Sequence, residues 1–105
     1  MRILFDQGTP APLRQLLSAH GVSTAYEMGW SELENGDLLA AAEAGFDVLV
    51  TTDKNLRYQQ DLTGRNLAIL VLPTTSWPKI RAHAQRVVTS IDALRPGEIV
   101  ELSFS

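Results

Sequence analysis

Two short apolar runs in this chain each end in a carboxylate. Ile3, Leu4 and Phe5 stop at Asp6, and Val48, Leu49 and Val50 lead through Thr51 and Thr52 to Asp53. Neither run alternates with polar residues, which is the habit of strands buried on both faces in the middle of a parallel sheet. In such a sheet all strand ends of one kind share an edge, and open α/β proteins place their ligands there. A third acid, Asp37, follows Asn35-Gly36 and falls in the first turn of a predicted helix. Helices that follow parallel strands start at that same edge, so Asp6, Asp37 and Asp53 are expected to face one crevice. Three carboxylates on one rim repel one another, and a fold accommodates that with raised pKa values or a bound cation. Hard divalent ions such as Mg²⁺ and Mn²⁺ prefer oxygen ligands of this kind.

Each acid also has an ordinary structural use. Asp53 is placed to cap the helix after it, Asp37 to favour the positive end of a helix dipole, and Asp6 to accept from the Gly8 and Thr9 amides. The metal reading therefore draws on the three together.

The elements that must position these acids follow from the pattern of the chain. After the first strand, Thr9 is suited to cap a helix and Pro10 to its first position, with Leu13, Leu16 and Leu17 on one face and Gly21 after the end. His20 reads as a cation in the last turn of that helix. Val22–Tyr26 is a second strand, less apolar and so nearer an edge. Trp30 lies in the following loop, folded over the sheet. Ser31-Glu32-Leu33-Glu34 has capping-box spacing, and Asn35-Gly36 offers a competing start for a helix that runs to Ala44. Its buried face is Leu38, Leu39, Ala41 and Ala42.

Beyond Asp53, Leu56 and Leu62 suggest a short helix closed by Gly64. Leu67–Leu72 is the most apolar segment and predicts another buried strand, halted by Pro73. Ser76 or Trp77 then opens the longest helix, whose stripe is Ile80, Ala84, Val87, Val88, Ile91 and Leu94, with His83 bordering it as a packing residue. Pro96-Gly97 turns the chain into an edge strand, Glu98–Phe104. Strand and helix alternating with short connections predicts a three-layer α/β/α sandwich on a mostly parallel five-stranded sheet. The order 2-1-3-4-5 puts strands one and three, and with them Asp6 and Asp53, side by side.

Composition sets limits on all of this. A chain of 105 residues, 45% hydrophobic and 20% charged, predicts one domain over residues 1–105 with a single core. The absence of cysteine removes disulfides, thiolate metal sites and a cysteine nucleophile together. No apolar run is long enough to span a bilayer, and Met1 leads directly into a strand, so a cytoplasmic location with no membrane partner is expected. The net charge is −3, unevenly spread. Residues 1–52 carry two bases against seven acids, and residues 53–105 seven bases against five acids. The second half is the one able to offer phosphate a cationic face.

Asp6 after strand one, Asp37 in Asn-Gly-Asp-Leu-Leu-Ala-Ala-Ala and Asp53 in Leu-Val-Thr-Thr-Asp-Lys-Asn-Leu together resemble the acidic set of PIN-like domains. The resemblance covers nearly the whole chain, is nearest to small stand-alone bacterial PIN-like proteins of unknown function, and rests most on the Thr-x-Asp ending of strand three. It implies a Mg²⁺- or Mn²⁺-dependent endoribonuclease, of a kind often found as the toxin of a toxin and antitoxin pair. On that reading Asp6, Asp37 and Asp53 are catalytic and hold the metal, and Thr52, Lys54, Asn55 and Arg57 meet ligand or substrate. RNA and an antitoxin protein are the implied partners; separately, the edge strand Glu98–Phe104 exposes backbone groups to which a second copy of the chain or a small partner could pair. Such domains usually add a glutamate from a helix, and here the interval offers Glu27, Glu32 and Glu34, of which Glu34 is nearest to Asp37. Two alternatives stand beside this one: an inert interaction module that keeps the PIN shape, and a phosphoacceptor resembling response-regulator receivers. Against the receiver, Asp6 has no acidic neighbour and no lysine follows strand five.

Overall fold

The apolar runs do form the middle of a parallel sheet. The computed structural model describes residues 1–56 and 64–104. Its strands are β1 (Arg2–Phe5), β2 (Gly21–Thr24), β3 (Val48–Thr51), β4 (Ala68–Val71) and β5 (Ile99–Glu101), all parallel, in the order β2-β1-β3-β4-β5. Every residue of β3 and β4 is buried, as continuous Val, Leu and Ile predict for strands covered on both sides. The edge strands β2 and β5 are only partly buried.

Successive side chains point to opposite faces, so each strand feeds two cores. Ile3, Phe5, Val48, Val50 and Leu70 pack with Leu13 and Leu17 of a 3-10 helix (Ala11–Leu17), Ile80 of α2 (Trp77–Ala82) and Val87 and Ile91 of α3 (Ala84–Ala93). Leu4, Leu49, Ile69 and Val71 pack on the other face with Leu38, Leu39 and Ala42 of α1 (Asn35–Gly45). The result is an α/β fold with helical layers on both faces of one sheet. Among the described residues, no helix is long and apolar enough to cross a membrane.

Several boundaries differ from the sequence expectation, each for a local reason. The long helix is broken at His83, whose φ of −116° and ψ of 28° leave the helical region, and its ring stacks on Phe104 at 4.4 Å. The strand expected over Glu98–Phe104 is a strand over Ile99–Glu101, with one further bond to β4 at each end, Ile69 N to Glu98 O and Leu102 N to Val71 O, both at 2.9 Å. Its alternation nevertheless holds: Val100, Leu102 and Phe104 pack on one core and Ile99 on the other. No capping box forms, since α1 starts at Asn35 with Glu34 in the N-cap position and no side-chain bond closing it. His20 lies beyond the helix it was expected to end, with Nε2 2.9 Å from Asp92 Oδ1. The short helix expected around Leu62, and Arg57 with it, lie outside the described residues.

The Pro96-Gly97 turn docks against residues 65 and 66. Gly97 has φ +79°, its N–H donates to Asn66 O at 2.8 Å, and a Cβ placed on it would lie 2.9 Å from Arg65 O. Both the left-handed backbone and the close approach require glycine. Gly97→Ala is expected to lower the free energy of unfolding by roughly 1–3 kcal/mol. Gly21→Ala, with nothing within 4 Å of its Cβ position, should change it by no more than about 0.5 kcal/mol. Equal urea midpoints for the two variants would refute this account of the turn.

Candidate functional site at the carboxyl edge of the sheet

Because β1 and β3 are neighbours, the residues that follow them meet. Phe5 lies opposite Val50, and the Asp6 N–H donates to Val50 O at 3.1 Å, extending the ladder by one bond. The chain then turns at Gln7-Gly8, where a Cβ on Gly8 would stand 2.4 Å from Thr52 Oγ1. Glycine is what lets the two strand ends approach this closely.

Asp6 is held by hydroxyls. Thr9 Oγ1 is 2.8 Å from Asp6 Oδ1, and Thr51 Oγ1 donates to Asp6 Oδ2 through a short contact. Thr51 is 1% exposed and its oxygen also accepts from the Asp53 N–H at 3.1 Å. One buried hydroxyl thus links the two aspartates that the sequence places after strands one and three. Thr9 is buried too, within 2.9 Å of Val50 O, so it is no helix cap. The N-cap is Pro10, which has no side chain to bond with.

Asp53 is oriented from two sides. Its Oδ1 accepts from Asn55 N at 2.9 Å, the ordinary capping role, and its Oδ2 accepts from Asn35 Nδ2 at 2.9 Å. Asn35 opens α1, so the helix start does reach the strand edge, but through an amide. Asp37 is exposed in the first turn of α1, and Glu34 is exposed as its N-cap. Glu27 is engaged elsewhere, paired with Arg14 and accepting from Thr24 N at 2.9 Å. Among the described residues, no three His, Cys, Asp or Glu side chains gather closely enough to hold a metal ion.

Asp6 and Asp53 are joined at this edge through the Thr51 hydroxyl, which meets the Asp6 carboxylate and the Asp53 N–H. Each Asp53 oxygen has one N–H donor, whereas Asp6 accepts from the Thr9 and Thr51 hydroxyls and from the Gly8 and Thr9 amides, so Asp53 keeps the greater acceptor capacity. Mg²⁺ is commonly held by one or two protein carboxylates with water and substrate phosphate completing its shell. Asp6 and Asp53 supply oxygen donors of that chemistry at one edge of the sheet.

Burial raises the Asp6 pKa above 3.8, against lowering by the Thr51 and Thr9 hydroxyls and the Gly8 and Thr9 amides. No other carboxylate is among the causes. The expected mutual repulsion is therefore not what lifts it; desolvation is.

Of the remaining sequence candidates, Thr52 packs against Gly8, while Lys54 and Asn55 are exposed beside Asp53. Lys54 lines a cavity of about 260 Å³ between the ends of β4 and β5. Sequence reasoning overlooked Thr51 and Asn35. The signal for Thr51 was present in the Thr-x-Asp ending itself, since the threonine of that motif is the last residue of a fully buried strand. Asn35 reads from the sequence only as a candidate start of the helix, with no role for its side-chain amide. No protein-family model matches the chain, and neither does any curated protein or solved structure.

Two outcomes follow. Thr51→Val keeps the shape of the side chain but strips Asp6 of a donor and the Asp53 N–H of an acceptor, and should cost about 1–3 kcal/mol. Thr51→Ser should retain most of the stability, and urea midpoints that failed to separate the two would remove the hydroxyl link. For Asp6, a raised native pKa means that the folded state binds the proton more tightly than the unfolded chain. Protonation thus favours folding in acid, and that contribution is lost as pH rises from 3.8 through the native value. Asp6→Asn, which mimics the protonated form, should be as stable as wild type or more so at neutral pH. Its advantage should shrink as pH falls, and an advantage that grew in acid would contradict the sign.

Proposed function

We propose that this chain is a PIN-like ribonuclease that hydrolyses RNA phosphodiesters with Mg²⁺ or Mn²⁺ at the strand-end site of Asp6 and Asp53. The observation that carries the reading is the hydroxyl link: Thr51 binds the Asp6 carboxylate and the Asp53 amide at once, at the β1/β3 junction where α/β sheets bind ligands. The Asp, Thr-x-Asp pattern that resembles PIN-like domains supplies the reaction class. A toxin role with an antitoxin partner comes from that resemblance alone.

In this reading Asp6 and Asp53 each offer the cation an oxygen, Thr51 and Thr9 fix the Asp6 carboxylate, and Asn35 and the Asn55 amide fix that of Asp53. Rigid placement of this sort lowers the reorganisation needed on binding. When bound, the cation supplies Lewis acidity and screens a phosphodiester from the two carboxylates. Lys54, exposed beside Asp53, is placed to meet a neighbouring phosphate. No histidine or cysteine is required.

A second reading, the interaction module without catalysis, draws on a specific observation as well. Both Asp6 oxygens are already supplied by this chain's own hydroxyls, and no third acid joins the pair among the described residues. The receiver reading draws on the strand order, on Asp6 and Asp53 after strands one and three, and on Thr74 or Thr75 after strand four, against the absence of an acidic neighbour to Asp6.

The deciding assay incubates labelled single-stranded RNA with purified protein and Mn²⁺, with and without chelator, beside a mock purification. Asp6→Asn and Asp53→Asn should each reduce cleavage by roughly two orders of magnitude or more with the fold intact. Asp37→Asn, at an exposed position, should reduce it far less. Cleavage that survives both the chelator and Asp53→Asn would dismiss the metal mechanism, and no cleavage of any RNA would leave the inert module.

A further inference from the structure

Asp6 borders two cavities, and they differ in what they could hold. The smaller, about 190 Å³, is enclosed by Gly8, Ala25, Trp30, Asn35 and Leu38. The larger, about 520 Å³, is lined by Asp6, Gln7, Thr9, Ala11, Thr24 and Tyr26. That volume lies within the roughly 300–1,000 Å³ of small-molecule sites. We infer that the larger cavity is a nucleobase subsite, in which one base of single-stranded RNA stacks on the Tyr26 ring beside the scissile phosphodiester. The inference rests on the ribonuclease reading and adds to it the substrate contact next to the reacting group.

Tyr26 is 80% exposed, more than any other exposed large hydrophobic among the described residues. A residue so exposed contributes little to the core, where aromatic side chains do most for stability. The backbone that carries it is nevertheless tied. Thr24 N and Glu27 Oε1 bond at 2.9 Å, Glu27 N and Thr24 Oγ1 at 3.1 Å, Met28 N donates to Thr24 O at 3.1 Å, and Trp30 N donates to Ala25 O at 2.8 Å. Arg14 ties the same glutamate to the 3-10 helix. The loop is therefore a tied turn that presents an aromatic face, which lowers the entropy lost on stacking.

The lining also selects the ligand class. It contains no lysine or arginine, and the nearby Arg14 is paired with Glu27, so an anion beside Asp6 has no counter-charge here. Gln7 and Thr24 offer neutral donors and acceptors, and Asp6 offers an acceptor. An uncharged planar ring with an exocyclic amino group meets all of these requirements, and single-stranded RNA is read in this way, by stacking and by hydrogen bonds to base edges. Met28 and Leu33, 39% and 38% exposed on the same segment, raise the alternative of a protein partner. The base is favoured because Tyr26 shares the larger cavity with Asp6, whereas Met28 lines neither cavity at Asp6 and Leu33 only the smaller one.

The test is steady-state cleavage of labelled RNA with Mn²⁺ by wild type, Tyr26→Ala and Tyr26→Phe, together with light scattering and a urea midpoint for each. Tyr26→Ala should raise KM by about 5- to 150-fold, the range that loss of one base-on-ring stack produces, with kcat little changed. Tyr26→Phe should behave as wild type, and the urea midpoints should coincide. An RNA with a single abasic nucleotide at the contacted position should be a poorer substrate for wild type and no poorer for Tyr26→Ala. Cleavage by wild type with an unchanged KM in Tyr26→Ala overturns the subsite and leaves the ribonuclease standing. Absence of cleavage by wild type overturns the ribonuclease and the subsite together. A Tyr26→Ala variant that changes its mass in solution but not its KM assigns the ring to a protein interface and overturns the subsite.

Discussion

One buried hydroxyl, that of Thr51, ties the edge of this sheet together. It has a single hydrogen to give and gives it to Asp6, while its lone pair receives the Asp53 N–H. Because Thr51 is the last residue of β3, its side-chain position is fixed by the ladder to β4 and by the packing of the strand beneath it. The sheet thus sets the link between the two aspartates, and Thr9, Asn35 and the Asn55 amide orient their carboxylates from outside it. A buried polar chain of this sort is stable only when each member is satisfied, and here Asp6, Thr51, Asp53 and Asn35 all have partners.

The support for that edge comes from two cores that share one sheet. Phe5 and Val50 face the 3-10 helix and α2–α3 side, while Leu4 and Leu49 face α1. Neighbouring residues of β1 thus anchor opposite layers, and a shift of the strand would disturb both. The Asp6 turn inherits this rigidity directly, since its N–H continues the β1–β3 ladder. The start of α1 inherits it through Leu38 and Leu39, fully packed a turn beyond Asn35.

What the sequence made legible is what depends on local pattern. Continuous apolar runs located the central strands, the weaker character of β2 put it at an edge, and the adjacency of β1 and β3 followed from the preference of parallel sheets for that order. The proximity of Asp6 and Asp53 was therefore readable. What was not readable depends on contacts distant in the chain. Thr9 next to Pro10 has the local look of a helix cap, and only the strand around Val50 turns its hydroxyl inward. His83 fits an unbroken helix until Phe104 stacks on it. Asn35 reads locally as a helix start, and its bond to Asp53 is hidden because that partner lies far along the chain. Asp37, by contrast, had the right element and the right turn, yet the helix presents Asn35 to the site and leaves Asp37 in solvent.

The position of Thr9 has one more effect. Its oxygen lies 2.8 Å from Asp6 Oδ1 and 2.9 Å from Val50 O, and a hydroxyl can donate to only one of them at a time. With Asp6 ionised, Thr9 donates to the carboxylate; with Asp6 protonated, the acid donates to Thr9 and Thr9 turns to the carbonyl. Both states keep a full set of hydrogen bonds, and they differ by the rotation of one O–H bond. The edge can thus gain or lose a proton without moving a heavy atom, so its charge is free to follow the surroundings while its shape is not.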